Sequence, residues 1–145
     1  MAKLVIKYRG PYPPRYQTDG AAGADLCAAN AKPMIIKAGQ FKAVPTGLSV
    51  EIPRGYEGQV RPRSGLALNH GIGVLNTPGT IDSDYRGEIR VILFNFSRKP
   101  FRVEPGMRIS QMVITRCVRP RFAPAKKLKK TKRARGGFGH TGISS

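Results

Sequence analysis

A chain of 145 residues, 40% of them hydrophobic, has the size and apolar content of one globular domain with its own core. Its formal charge of +18, from 26 Lys and Arg against eight Asp and Glu, points to an anionic partner such as a nucleotide, nucleic acid or membrane surface. No apolar run approaches the roughly twenty residues of a membrane span, and the amino end shows no basic n-region before an apolar stretch. A cytoplasmic location is therefore the expectation, with the nucleus open in a eukaryotic host. Cys27 and Cys117 form no CxxC pair and read as reduced, packed thiols. With His70 and His140 as the two imidazoles, zinc chemistry and a His-activated nucleophile are poorly supported.

Twelve prolines and seventeen glycines punctuate the chain and leave little room for long helices. Strand-like pieces fall at Leu4–Tyr8, Asp25–Ala28, Met34–Lys37, Phe41–Val44, Gly47–Ile52, Gly58–Arg63, Ile72–Leu75, Ile89–Phe96, Phe101–Val103 and Arg108–Val118. Many short strands at this spacing predict an all-β sandwich or barrel. Leu48, Val50 and Ile52 alternate with Ser49 and Glu51, which predicts a half-exposed strand. Ile89–Phe96 is apolar on both faces apart from Arg90 and Asn95, which predicts a central one. One short helix is expected over Gly65–His70, with Ser64 as its N-cap and Gly71 as a left-handed stop. The domain is expected to occupy residues 1–120, followed by a basic linker and Gly-rich flexible tail over 121–145.

The stretch Gly79-Thr80-Ile81-Asp82-Ser83-Asp84-Tyr85-Arg86-Gly87-Glu88 places two carboxylates between glycines just before the most apolar run. On an extended segment Asp82 and Asp84 would point one way and Ser83 and Tyr85 the other; a solvated β-turn would present the same residues. Arg63-Ser64-Gly65 brings a guanidinium, a hydroxyl and unpaired backbone N–H groups to the start of the helix, where an anion is favoured. Asp25 follows the small residues Ala22-Gly23-Ala24, which allow a close backbone approach. A carboxylate there suits a hard, hydrated Mg²⁺, or an Asx-type turn.

Taken with Arg108-Ile109-Ser110-Gln111-Met112 and Arg133-Ala134-Arg135-Gly136-Gly137-Phe138-Gly139-His140-Thr141-Gly142, these segments resemble, in order and spacing, the five motifs of the trimeric dUTPase family. The resemblance runs from Ala21 to Gly142. It implies a distorted jelly-roll or β-barrel subunit and Mg²⁺-assisted hydrolysis of dUTP to dUMP and pyrophosphate. That activity limits uracil in DNA and supplies dUMP for thymidylate synthesis. It further implies a homotrimer whose sites take the first, second and fourth motifs from one chain, the third from a neighbour and the Gly-rich tail from the last. By the same resemblance Asp82 is the general base, Asp25 holds Mg²⁺ through water, and Arg63, Ser64, Gly65, Gln111 and Arg133 bind phosphates. Tyr85 packs on the deoxyribose and excludes a 2′-hydroxyl, while Phe138, Gly139 and Thr141 belong to a lid over the substrate. Asp84 reads as structural. A β-hairpin within Gly71–Tyr85 would offer backbone groups and the Asn76 amide to the uracil edge.

The chain departs from the family at Ala134, where glycine is usual, and in the lysine-rich stretch before it, where neutral or acidic residues are common. Those lysines would attract the triphosphate, or contact nucleic acid nonspecifically. The related dCTP deaminase group carries Thr-Leu-Glu on the strand after the Asp motif. Here that strand reads Ile89-Arg90-Val91-Ile92-Leu93, so the deaminating Glu is missing.

Overall fold

The computed structural model describes residues 4–140. Two four-stranded antiparallel sheets face each other. One has the order β1(Lys7–Arg9), β4(Phe41–Glu51), β8(Ile89–Asn95), β6(Ile72–Val74); the other β2(Ala24–Cys27), β10(Arg108–Arg116), β5(Tyr56–Arg61), β7(Gly79–Ile81). A two-stranded ribbon, β3(Met34–Ile36) with β9(Phe101–Val103), closes one end. Period-two alternation builds the core between the sheets. Val44, Leu48 and Val50 from β4 and Ile89, Val91 and Leu93 from β8 meet Leu26, Val60 and Met112 from the opposite layer, all buried.

The expected central strand is central: β8 lies between β4 and β6. Its second face is only half covered, however, with Ile92 and Phe94 half-buried and Phe96 exposed. Asn95 on this strand is fully buried and satisfied, donating to the Ile36 and Lys99 carbonyls and accepting from Ser97. The two expected pieces Phe41–Val44 and Gly47–Ile52 form one 11-residue strand. Between Pro45 and Leu48 the register shifts, as Thr46 and Gly47 bulge out. Thr46 Oγ1 donates to the Ile89 carbonyl, Gly47 takes φ 63°, and its N–H meets Glu88 Oε1. Inserting two residues preserves parity, so Val44, Thr46, Leu48 and Val50 all face inward.

Helix α1 spans Ser64–His70 and ends at Gly71 with φ 64°, the expected left-handed stop. Its N-cap is Arg63 rather than Ser64, with no side-chain cap bond. The expected hairpin in Gly71–Tyr85 is not formed by pairing. β6 pairs with β8 and the unanticipated β7 pairs with β5, so the two strands belong to different sheets. After β10 the chain runs through exposed residues to the Gly-rich tail.

Candidate active site

The register of β2, β10 and β5 determines where the first cluster forms. Gln111 lies opposite Asp25 on one side and Arg61 on the other, so the end of β5 is brought beside β2 across one strand. Asp25 is buried, and its two oxygens are held by separate guanidinium groups: Arg63 Nε at 3.1 Å and Arg108 Nη1 at 3.1 Å. Arg63 also donates to the Arg108 carbonyl, which ties the clasp to β10. Gln111 donates to the Pro62 carbonyl and lies over Gly23, where an added Cβ would be 2.2 Å from its Oε1. The small residues before Asp25 therefore make room for this side chain. Ser64, as the first helical residue, keeps its hydroxyl free of capping, and the N–H groups of the first turn have no intrahelical acceptor. Burial, together with the neighbouring Asp25 carboxylate, pushes the Cys27 thiol above its ordinary pKa.

This cluster unites Asp25, Arg63, Ser64, Gly65 and Gln111, and adds Arg108, which sequence reasoning passed over. The signal was present: an Arg opening the Arg108–Met112 segment, three residues before Gln111. Among the described residues no three His, Cys, Asp or Glu side chains gather to ligate a metal. A directly bound ion therefore does not fit. A hydrated Mg²⁺ does, because each Asp25 oxygen accepts one N–H and retains a lone pair for water.

The second cluster is a cleft of about 400 Å³ lined by Asn76, Gly79, Thr80, Ile81, Asp82 and Tyr85 with the flank of β8. Asp82 to Tyr85 form a turn closed by the Tyr85 N–H on the Asp82 carbonyl, so the extended reading of Asp82 and Asp84 gives way to the turn. Asp84 lines a neighbouring, larger groove, which Asp82 also borders. Tyr85 is locked by its hydroxyl donating to the Glu88 carbonyl at 2.8 Å. Its ring lies against Gly87, where a Cβ would come within 2.5 Å of the hydroxyl oxygen. Asn76 rests on Gly79, so its amide borders the cleft.

One chain does not bring the two clusters together. Ile81 pairs with Gly58 at the start of β5, whereas Arg63 lies beyond the end of that strand. At about 3.3 Å per residue, Ile81 is separated from the level of Arg63 by roughly 17 Å along the sheet, and Asp82 follows one residue further away.

Residues 12–142 match the dUTPase family model. The chain belongs to the dUTPase family. A deoxyuridine 5'-triphosphate nucleotidohydrolase of Chlamydia pneumoniae is 59% identical over 132 residues, 90% of this chain and 91% of the relative. One from Thermoanaerobacter sp. (strain X514) is 54% identical over 130 residues, 90% of this chain and 88% of the relative. Among solved structures, the Staphylococcus bacteriophage 80alpha dUTPase G164S mutant with dUpNHpp superposes with a TM-score of 0.87 at 20% identity, covering 97% of this chain and 100% of its own. That likeness bears on the jelly-roll fold.

In this dUTPase the tail residues Arg133, Phe138 and Gly139 lie apart from both clusters in sequence and are exposed or nearly so. Arg133 donates to the Gly136 carbonyl, and turns close at Gly136 and His140. Ala134 and Phe138 take left-handed φ values of 47° and 50°. A non-glycine residue there is strained by about 1 kcal/mol, which gives a physical reason for the usual glycine at Ala134. Thr141 lies outside the described residues. Among those residues no helix is long and apolar enough to cross a membrane.

Proposed function

We propose that this chain hydrolyses dUTP to dUMP and pyrophosphate in a site shared between copies, with Asp82 of one copy acting on substrate held by Arg63 of another. The supporting observation is that two clusters suited to a nucleoside triphosphate are built in the chain but lie apart along β5. The Asp25–Arg63–Arg108–Gln111 cluster offers donors to phosphates, and the Asn76–Tyr85 cleft offers an amide and an aromatic face to a nucleoside. The separation of roughly 17 Å along β5 keeps Asp82 of one copy away from a phosphate held at its own Arg63. A second copy removes that gap.

In this reading the α- and β-phosphates lie against Arg63, Ser64, the Gly65 N–H and Gln111, where donors are already oriented and need no reorganisation. Asp25 keeps the Arg63 guanidinium aimed. Asp82 accepts a proton from water as its oxygen attacks the α-phosphorus in line, and the bond to the bridging oxygen breaks toward pyrophosphate. When bound, Mg²⁺ supplies charge neutralisation on the triphosphate, and Asp25 would hold it through its water shell. Asn76 and backbone groups of the cleft pair with the uracil edge, and the cytosine pattern mismatches them. The Tyr85 face packs on the deoxyribose. Arg133, Phe138, Gly139 and Thr141 close over the site as a lid.

Assembly as a homotrimer is supported by the outer face of the β4–β8–β6 sheet. Phe41 lies opposite Phe94, Phe94 and Phe96 have ring centroids 4.2 Å apart, and Leu75 adjoins Ile92. Phe41 is 59% and Phe96 68% exposed in the single chain, a contiguous apolar strip suited to burial against another copy. Incubating the protein with dUTP, dCTP, dTTP and UTP in Mg²⁺ and measuring pyrophosphate and ammonia tests the activity. Pyrophosphate from dUTP alone is expected. Ammonia from dCTP would replace this reading with deamination.

A further inference from the structure

The charge of the chain is divided unevenly between barrel and arm. All eight acidic residues and sixteen of the 26 Lys and Arg precede Arg116, so this portion carries +8. The twenty residues Arg116–Arg135 carry ten cations and no acid. Every side chain from Val118 to Arg135 is exposed. None of these ten cations forms an ion pair with a described residue, whereas Arg63, Arg90, Arg102, Arg108 and Lys7 of the barrel all do. A barrel that is itself positive offers the arm no net attraction. Its counter-charge must come from outside.

From these observations we infer that Arg116–Arg135 is a binding strip for the phosphate backbone of single-stranded nucleic acid. The dimensions favour a polymer over the nucleotide substrate. With Pro120 and Pro124 and no strand or helix among the described residues after Arg116, the arm lacks regular structure apart from turns within residues 131–136, and drawn out at about 3.1 Å per residue its twenty residues would reach on the order of 60 Å. A triphosphate presents up to four charges within a few ångströms. At physiological salt the Debye length is about 8 Å, so most of the arm's cations lie beyond its reach. A linear polyanion can meet all ten. Single strands are favoured over duplex because Phe122, 90% exposed and flanked by Arg119, Arg121, Lys126 and Lys127, offers a ring on which an unpaired base can stack. The inference is independent of whether the chain turns over dUTP.

Fluorescence anisotropy of a labelled oligo-dT 20-mer with the full chain tests it, against a variant carrying glutamine at Lys126, Lys127, Lys129, Lys130 and Lys132. These side chains are exposed, so the variant folds as the parent does. If about six phosphates are neutralised, log K falls with log salt at a slope near −4, and affinity drops about 300-fold between 50 and 200 mM salt. The glutamine variant should lose about half of that slope, and Phe122→Ser should weaken the single strand more than a 20-base-pair duplex. No binding at 50 mM salt, an unchanged slope in the glutamine variant, or tighter binding of duplex or phosphatidylserine vesicles would overturn the inference. So would a glutamine variant with intact oligo-dT binding but a raised KM for dUTP, which would assign the lysines to substrate capture instead.

Discussion

Asp82 and Asp25 sit in different surroundings, which suits the different roles proposed for them. Asp25 is buried and each of its oxygens accepts from one guanidinium group, so its carboxylate is held in place. Asp82 is exposed at a turn that borders a cleft, free to meet water. Asp82→Asn should therefore cost ~10²–10⁴-fold in kcat while dUTP analogue binding persists, as a removed general base does. Near-normal turnover in single-turnover kinetics would take Asp82 out of that role. Tyr85→Ala should chiefly erode rejection of UTP relative to dUTP, and an unchanged ratio of kcat/KM values would leave Tyr85 as packing alone. Gly23→Ala is sharper still. The new Cβ would sit 2.2 Å from Gln111 Oε1 and force that side chain off the Pro62 carbonyl. The expected result is a roughly tenfold rise in KM, the worth of one hydrogen bond to a charged group, with thermal stability little changed. Ser64 and Gly23 mark the limit of reading single residues. A Ser before a helix looks like a cap, and only the backbone at Arg63 shows that it starts the helix and leaves its hydroxyl free.

At the scale of elements, strands with strict alternation or a long apolar run were legible because side-chain parity is written directly in the sequence. The buried set Leu48, Val50 and Ile52 and the central placement of β8 both follow from it. The join across Pro45–Leu48 was not legible, since proline and glycine signal a break and the Thr46 hydroxyl bond that bridges it is a tertiary contact. β7 is not legible in the sequence because three residues carry no periodicity, and the sheet to which β6 and β7 belong depends on partners distant in sequence. Gly71 is a case where the signal and the structure agree. It takes φ 64°, and a Cβ would lie 3.1 Å from the Ser97 nitrogen. Gly71→Ala should destabilise by roughly 1–2 kcal/mol, which for a chain of this size lowers Tm by about 2–8 °C in a thermal melt. A melt unchanged within a degree would mean the helix end can readjust.

For the whole molecule, the separation of its two clusters is what a sequence motif list conceals. Spacing along the chain says which residues belong together by family, and the β5 register says that one copy cannot bring Asp82 to Arg63. The apolar strip of exposed Phe41 and Phe96 with half-buried Phe94, and the exposed residues of the tail, are what the proposed assembly with neighbouring copies would use. The most direct test of this shared-site reading mixes two inactive chains, one carrying Asp82→Asn and one ending after Lys132. If base and tail come from different copies, random trimers should leave roughly one site in four complete, and activity should return toward a quarter of the unmodified level after unfolding and joint refolding. Activity that stays at the level of the separate variants, or a light-scattering mass equal to one chain, would contradict it.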